Sequence, residues 1–143
     1  VFSAQSRVLV FVCDHVLVFK ALESDKFAAF SLPCIAALPP SFIDYVLSRN
    51  LADGVAITGC REGECFSRFG IDWMTARIAG ERDPYLRKRV PRDRLLVHWA
   101  GAPDRADLES ALATFRNRIA ALPEEPALAR AVPRVRAAVE ETV

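Results

Sequence analysis

Four short apolar runs, rich in β-branched and aromatic residues, alternate along this chain with segments of helical periodicity. The runs are Val8-Leu9-Val10-Phe11-Val12, Phe27-Ala28-Ala29-Phe30, Val55-Ala56-Ile57-Thr58 and Leu95-Leu96-Val97-His98-Trp99. Short strands that alternate with amphipathic helices lead to a parallel sheet with helices as its crossovers. The pattern predicts an α/β fold: a small, doubly wound, mainly parallel sheet of about four strands flanked by helices. Right-handed crossovers then carry the loops after the strands to a common rim. Open α/β sheets hold their ligands at that rim.

The first strand is expected over 8–13, closed by the polar pair Asp14-His15. Residues 16–25 read either way, since Val16, Leu17, Val18 and Phe19 suit a strand while Leu22 extends a helical face. A second strand over 27–32 stops at Leu32-Pro33-Cys34. Ser41, with Asp44 three residues on, is expected to cap a helix whose buried stripe is Phe42, Ile43, Val46 and Leu47. The turn residues from Asn50 to Gly54 feed a third strand over 55–59, and a helix follows near 71–80, with Gly80 as its stop. A fourth strand is expected over 95–99. Asp104 then caps an amphipathic helix with the stripe Leu108, Leu112, Phe115, Ile119 and Leu122. Past Pro123, helices are expected around 127–132 and after Pro133. The division is one α/β domain over residues 1–122 and a C-terminal helical tail over 123–143.

At 143 residues, 52% of them hydrophobic, the chain is long enough for a core of its own. A net charge of +1, without interleaved aromatic platforms, removes the electrostatic case for nucleic acid or anionic lipid. The longest uncharged stretch, Phe27 to Ile43, is broken by Pro33, Pro39 and Pro40, so no transmembrane segment is expected. Arg7 precedes a strand-like run with no small-residue cleavage site, which is not a signal-peptide pattern. The chain opens on Val1 and its only methionine is Met74, so further sequence upstream is expected. No G-x-G-x-x-G or P-loop is present to bind a nucleotide.

Cys13, Cys34 and Cys60 each fall at or just past the end of a strand-like run, and Cys65 follows in the loop Cys60-Arg61-Glu62-Gly63-Glu64-Cys65. Four thiolates gathered at the rim of the sheet suit an iron–sulfur cluster or a zinc ion. Two disulfides are the alternative, but a domain of this size does not need such staples, and the α/β pattern points to a reducing cytoplasm. Buried inert thiols are a further reading, most credible for Cys34 between Pro33 and Ile35 and least for Cys60 and Cys65 in their charged loop. His15, two residues after Cys13, stands where an imidazole could replace a thiolate; as a turn residue it is otherwise satisfied by backbone. His98, beside Trp99, reads as a packing residue. Neither histidine has the nucleophile and carboxylate neighbours of a hydrolase.

Arg61, Arg68, Arg77, Arg82, Arg87, Lys88, Arg89, Arg92 and Arg94 run from the cysteine loop to the fourth strand. Most read as solvated faces interleaved with Glu62, Glu64, Asp72, Glu81, Asp83 and Asp93, with Arg61 and Arg68 near enough to the thiols to form a docking rim.

The motifs Phe11-Val12-Cys13-Asp14-His15, Leu32-Pro33-Cys34, Pro40-Ser41-Phe42, the stretch from Ala52-Asp53-Gly54-Val55 through Gly59-Cys60 to Gly63-Glu64-Cys65, and Arg68-Phe69-Gly70 carry a likeness. On these the chain, over roughly residues 7–121, resembles the methyl-viologen-reducing hydrogenase delta subunit family, the hydrogenase iron–sulfur or FlpD-like subunits. The resemblance implies a small α/β domain with one [2Fe–2S] cluster and, position by position, the ligands Cys13, Cys34, Cys60 and Cys65. It implies a non-catalytic electron-transfer subunit relaying single electrons between a heterodisulfide-reductase-like flavoprotein and a hydrogenase or other redox partner, such as a ferredoxin-like protein. Relatives often carry Cys-x-x-Cys at the first site, where this chain has Cys13-Asp14-His15-Val16, and Gly-Asn where it has Gly70-Ile71. The competing functions are a zinc-bound or metal-free scaffolding subunit and a thiol redox enzyme using Cys60 and Cys65. The last lacks the C-x-x-C spacing at a helix start that activates a thiol.

Overall fold

Along the first strand, side chains alternate between two cores: Val8 and Val10 enter one, and Leu9, Phe11 and Cys13 the other. A strand apolar on both faces belongs inside a sheet covered on both sides. The computed structural model, which describes residues 7–15 and 27–123, places it there. Strand β1 (Val8–Cys13) pairs in parallel with β2 (Phe27–Leu32) on one side and β3 (Gly54–Ile57) on the other; β3 pairs in parallel with β4 (Leu95–Val97). The order is β2-β1-β3-β4, all parallel, as the alternation of runs requires.

Helix α1 (Pro40–Ser48) carries the chain from β2 to β3, and α2 (Gly70–Ala79) lies between β3 and β4. Their buried residues, Ile43, Val46, Leu47, Ile71 and Met74, join Phe11, Val55 and Ile57 in one core. Helix α3 (Arg105–Ala120) packs Leu108, Leu112, Phe115 and Ile119 on the opposite face, against Val8, Val10 and Ala56. The sheet is therefore doubly wound. The chain leaves β1 first toward β2 and later returns to its other flank as β3, which makes the gap between the ends of β1 and β3 the switch point of the fold.

Several element boundaries differ from those predicted. Helix α1 starts on Pro40 at its first position, where a missing N–H costs nothing, and Ser41 provides no side-chain cap. Phe42 is 41% exposed, set edge-on to Phe11 and stacked on Tyr45, outside the buried stripe. Asp44 is buried and receives Arg89 at 2.7 Å, with Arg87 at 3.9 Å. β3 ends at Ile57 and β4 at Val97; the His98 amide still donates to the Ile57 carbonyl at 3.0 Å before the chain turns away. Gly80 does stop α2, in the left-handed conformation at φ 81°. Asp104 directly precedes α3 but makes no side-chain cap bond to it. Leu122 is partly buried against the α3 core. The ambiguous segment 16–25 and the tail helices expected after Pro123 lie outside the described residues. Among the described residues no helix is long and apolar enough to cross a membrane.

Candidate functional site

Parallel pairing brings the end of β1 beside the end of β3. Cys13 is the last residue of β1, opposite Leu32, and the Thr58 amide donates to the Phe11 carbonyl at 2.9 Å, extending the ladder toward Cys60. Cys13 and Cys60 are both buried. The Ile35 amide donates to Cys13 Sγ at 3.1 Å. Burial pushes the Cys13 thiol up to about 12, against the opposing pull of the Ile35 and Cys60 amides; nearby Cys60 and Cys34 push it further. Three of the four sulfurs thus share one neighbourhood.

The second pair is built by a turn and a helix start. After Pro33 the chain forms a single 3₁₀ turn, Ile35–Ala37, which Cys34 precedes in extended conformation. Arg77 of α2 donates to the Ala36 carbonyl at 2.8 Å and fastens helix to turn. That docking sets Gly70, the first residue of α2, against the thiols. A Cβ at Gly70 would stand 2.6 Å from Cys34 Sγ and 3.3 Å from Cys65 Sγ, so both sulfurs occupy the space a side chain would fill. The amino end of α2 therefore lies beside these two sulfurs. Cys34 and Cys65 are half-buried, and all four cysteines are free thiols.

The loop between Cys60 and Cys65 folds back through a turn closed by the Glu64 amide on the Arg61 carbonyl at 2.9 Å, with Gly63 at φ 81°. Arg61 grips Asp104 with both arms, Nε to Oδ2 at 2.8 Å and Nη2 to Oδ1 at 2.6 Å. The Gly101 amide donates to the same carboxylate at 2.9 Å. The Arg61 guanidinium and the Gly101 amide hold the Asp104 carboxyl down to about 2. Past Cys65, Arg68 sits in the left-handed region at φ 66°, a turn that reverses the chain into α2.

Aromatic rings crowd the mouth of this site. His15, an exposed turn residue, stacks on Phe66 at 3.9 Å between centroids, joining the loop after Cys13 to the loop after Cys65. Phe66, Phe69 and Trp73 are 71%, 53% and 40% exposed, and Arg82 lies 4.5 Å over the Trp73 ring. The arginines expected to interleave with nearby acids mostly do something else. Arg92 and Arg94 donate to backbone carbonyls, Arg89 and Arg87 serve Asp44, and Arg61 is taken by Asp104, so of the expected docking pair Arg68 alone has no ion-pair partner among the described residues.

Among the described residues no three His, Cys, Asp or Glu side chains close round a point that would hold a single metal ion. Cys34 and Cys65 both border the space beside Gly70, and Cys13 lies within electrostatic reach of both Cys60 and Cys34. Four thiols brought together at the sheet rim have the chemistry to hold an iron–sulfur cluster or a zinc ion.

A family model described as methyl-viologen-reducing hydrogenase, delta subunit (FlpD), matches residues 8–123. The chain belongs to this family. The match runs from the first strand to the end of the last described helix and takes in all four cysteines. No curated protein matches the chain. Membership makes this FlpD-family chain a component of a redox complex, partnered by other subunits.

Sequence reasoning missed the roles of Gly70, Asp104, Phe66 and the Ile35 amide at this site. Gly70 was visible within Arg68-Phe69-Gly70, but only the docked helix reveals that its hydrogen faces two sulfurs. Arg61 and Asp104 are separated by 43 positions, and no local spacing signals their pairing.

Proposed function

We propose that this FlpD-family chain is the electron-transfer subunit of its complex and holds one [2Fe–2S] cluster through Cys13, Cys34, Cys60 and Cys65. The observation that carries the proposal is the meeting of Cys34 and Cys65 in the space left by the missing side chain of Gly70. Four free thiols, with the Ile35 amide donating to one of them, make a donor set suited to such a cluster. When bound, such a cluster takes up and returns one electron at a time.

The chain's own residues then have defined tasks. Cys13 gives up its proton on loading, at a buried position that favours the neutral thiol. The Ile35 amide remains as donor to the Cys13 sulfur; such hydrogen bonds raise a reduction potential. The stack of His15 on Phe66 links the loops after Cys13 and Cys65, while exposed Phe66, Phe69 and Trp73 offer apolar surface on the loop and helix that follow Cys65. A flavoprotein, ferredoxin-like or hydrogenase-type subunit docking there stands close to the site of exchange. This role belongs in a reducing compartment, the cytoplasm, where thiols stay available to a metal centre.

Metal analysis of protein purified without oxygen tests the proposal. The expected result is brown protein with about two irons per chain and an EPR signal on reduction. Colourless protein with stoichiometric zinc contradicts it and makes the chain a structural subunit.

A further inference from the structure

Among the described residues, one charged side chain of the turn that presents Cys65 is paired with a distant element. Glu62 and Glu64 make no ion pair or side-chain hydrogen bond among the described residues, whereas Arg61, directly after Cys60, is held by both oxygens of Asp104. Asp104 lies just before α3, the helix that covers the face of the sheet opposite the α1 and α2 core. The bond therefore reaches over the rim, from the cysteine loop to an element on the far side. Its acidic end is fixed in place, because the Gly101 amide also donates to the carboxylate. A planar guanidinium paired through two parallel bonds fixes orientation as well as distance.

We infer that Asp104 is a positioning residue for the thiol loop: acting through Arg61, it holds the Cys60–Cys65 turn in register with Cys13 and Cys34 and cancels the guanidinium charge of the residue that follows Cys60. The positioning half stands on geometry alone; the charge half rests on the proposal that these thiols hold a cluster. A cation next to such a centre favours its reduced, more negative state and an anion disfavours it, so the two members of the clamp act with opposite sign.

The test compares Asp104→Asn, Arg61→Gln and the double variant with the parent protein by two readouts. In metal-free protein, alkylation of Cys60 and Cys65 by iodoacetamide, followed by mass spectrometry, is expected to speed up several-fold in each single variant. The double variant should be no faster, because both changes open one clamp. Glu62→Gln, in the same turn, should keep the parent rate. In iron-loaded protein the midpoint potential should rise with Asp104→Asn, fall with Arg61→Gln and return toward the parent value in the double variant. Unchanged alkylation in both single variants overturns the positioning role, and potential shifts of the same sign overturn the charge cancellation. Protein that takes up no iron refutes the cluster proposal but leaves the alkylation result to decide the clamp.

Discussion

At Gly70 a single hydrogen is what allows two sulfurs to meet. Gly70→Ala is expected to destabilise the metal-free fold, because the clash with Cys34 Sγ outweighs the helix-forming advantage of alanine, at most about 1 kcal/mol. The added methyl would meet Cys34 Sγ at 2.6 Å, and iron bound per chain should fall several-fold. Full iron content in that variant would remove Gly70 from the site. Cys13 has a pH signature of its own. Its thiol is pushed up to about 12 by burial, so the folded metal-free protein keeps this proton where the unfolded chain, with a thiol near 8.5, loses it. The stability from this group is complete below pH ~8.5 and declines as pH rises toward the folded value. Urea unfolding of metal-free protein between pH 7 and 10, designed about these values, should show a steeper alkaline loss in the parent than in Cys13→Ser. Equal slopes would contradict the buried, neutral thiol.

Between elements, the site depends on two attachments, α2 to the turn after Cys34 and the cysteine loop to the start of α3. The second titrates. The Asp104 carboxyl, held down to about 2, stabilises the fold above the ordinary carboxylate range near 4 and stops doing so as pH falls through that window toward 2. The stability difference between parent and Asp104→Asn should accordingly be flat above pH ~4 and shrink below it. A difference that stays constant into acid would mean that the ion pair is not formed in solution. The α3 helix that carries this anchor is itself held by Phe115 and its neighbours, buried against Val8, Val10 and Ala56. Phe115→Ala is expected to cost about 3–5 kcal/mol in chemical denaturation. A loss under about 1 kcal/mol, typical of surface changes, would mean that α3 is not packed on the sheet as described.

For the molecule as a whole, the order of apolar runs was enough to specify a parallel, doubly wound sheet, because an alternation of buried strands and amphipathic helices has few compact solutions. β1 and β2 run over the residues expected of them, 8–13 and 27–32. What local pattern could not convey was tertiary pairing. Asp44 looked like a capping residue and proves to be the buried partner of Arg89, 45 positions away. Ser41 yielded its capping role to a proline at the helix start. β4 is shorter than its apolar run because Trp99 turns over Gly59, where a Cβ would lie 3.2 Å from the indole ring. The site was legible as cysteines after strands; the glycine and the carboxylate that serve them were not, since each acts through contacts made only on folding. Iron K-edge X-ray absorption on the anaerobically purified protein tests the central claim most directly. The expected spectrum has an all-sulfur shell and one iron neighbour, lost when any of Cys13, Cys34, Cys60 or Cys65 is replaced by serine. A nitrogen ligand from His15, a spectrum without an iron–iron distance, or one indifferent to a cysteine replacement would contradict a [2Fe–2S] centre held by these four thiolates.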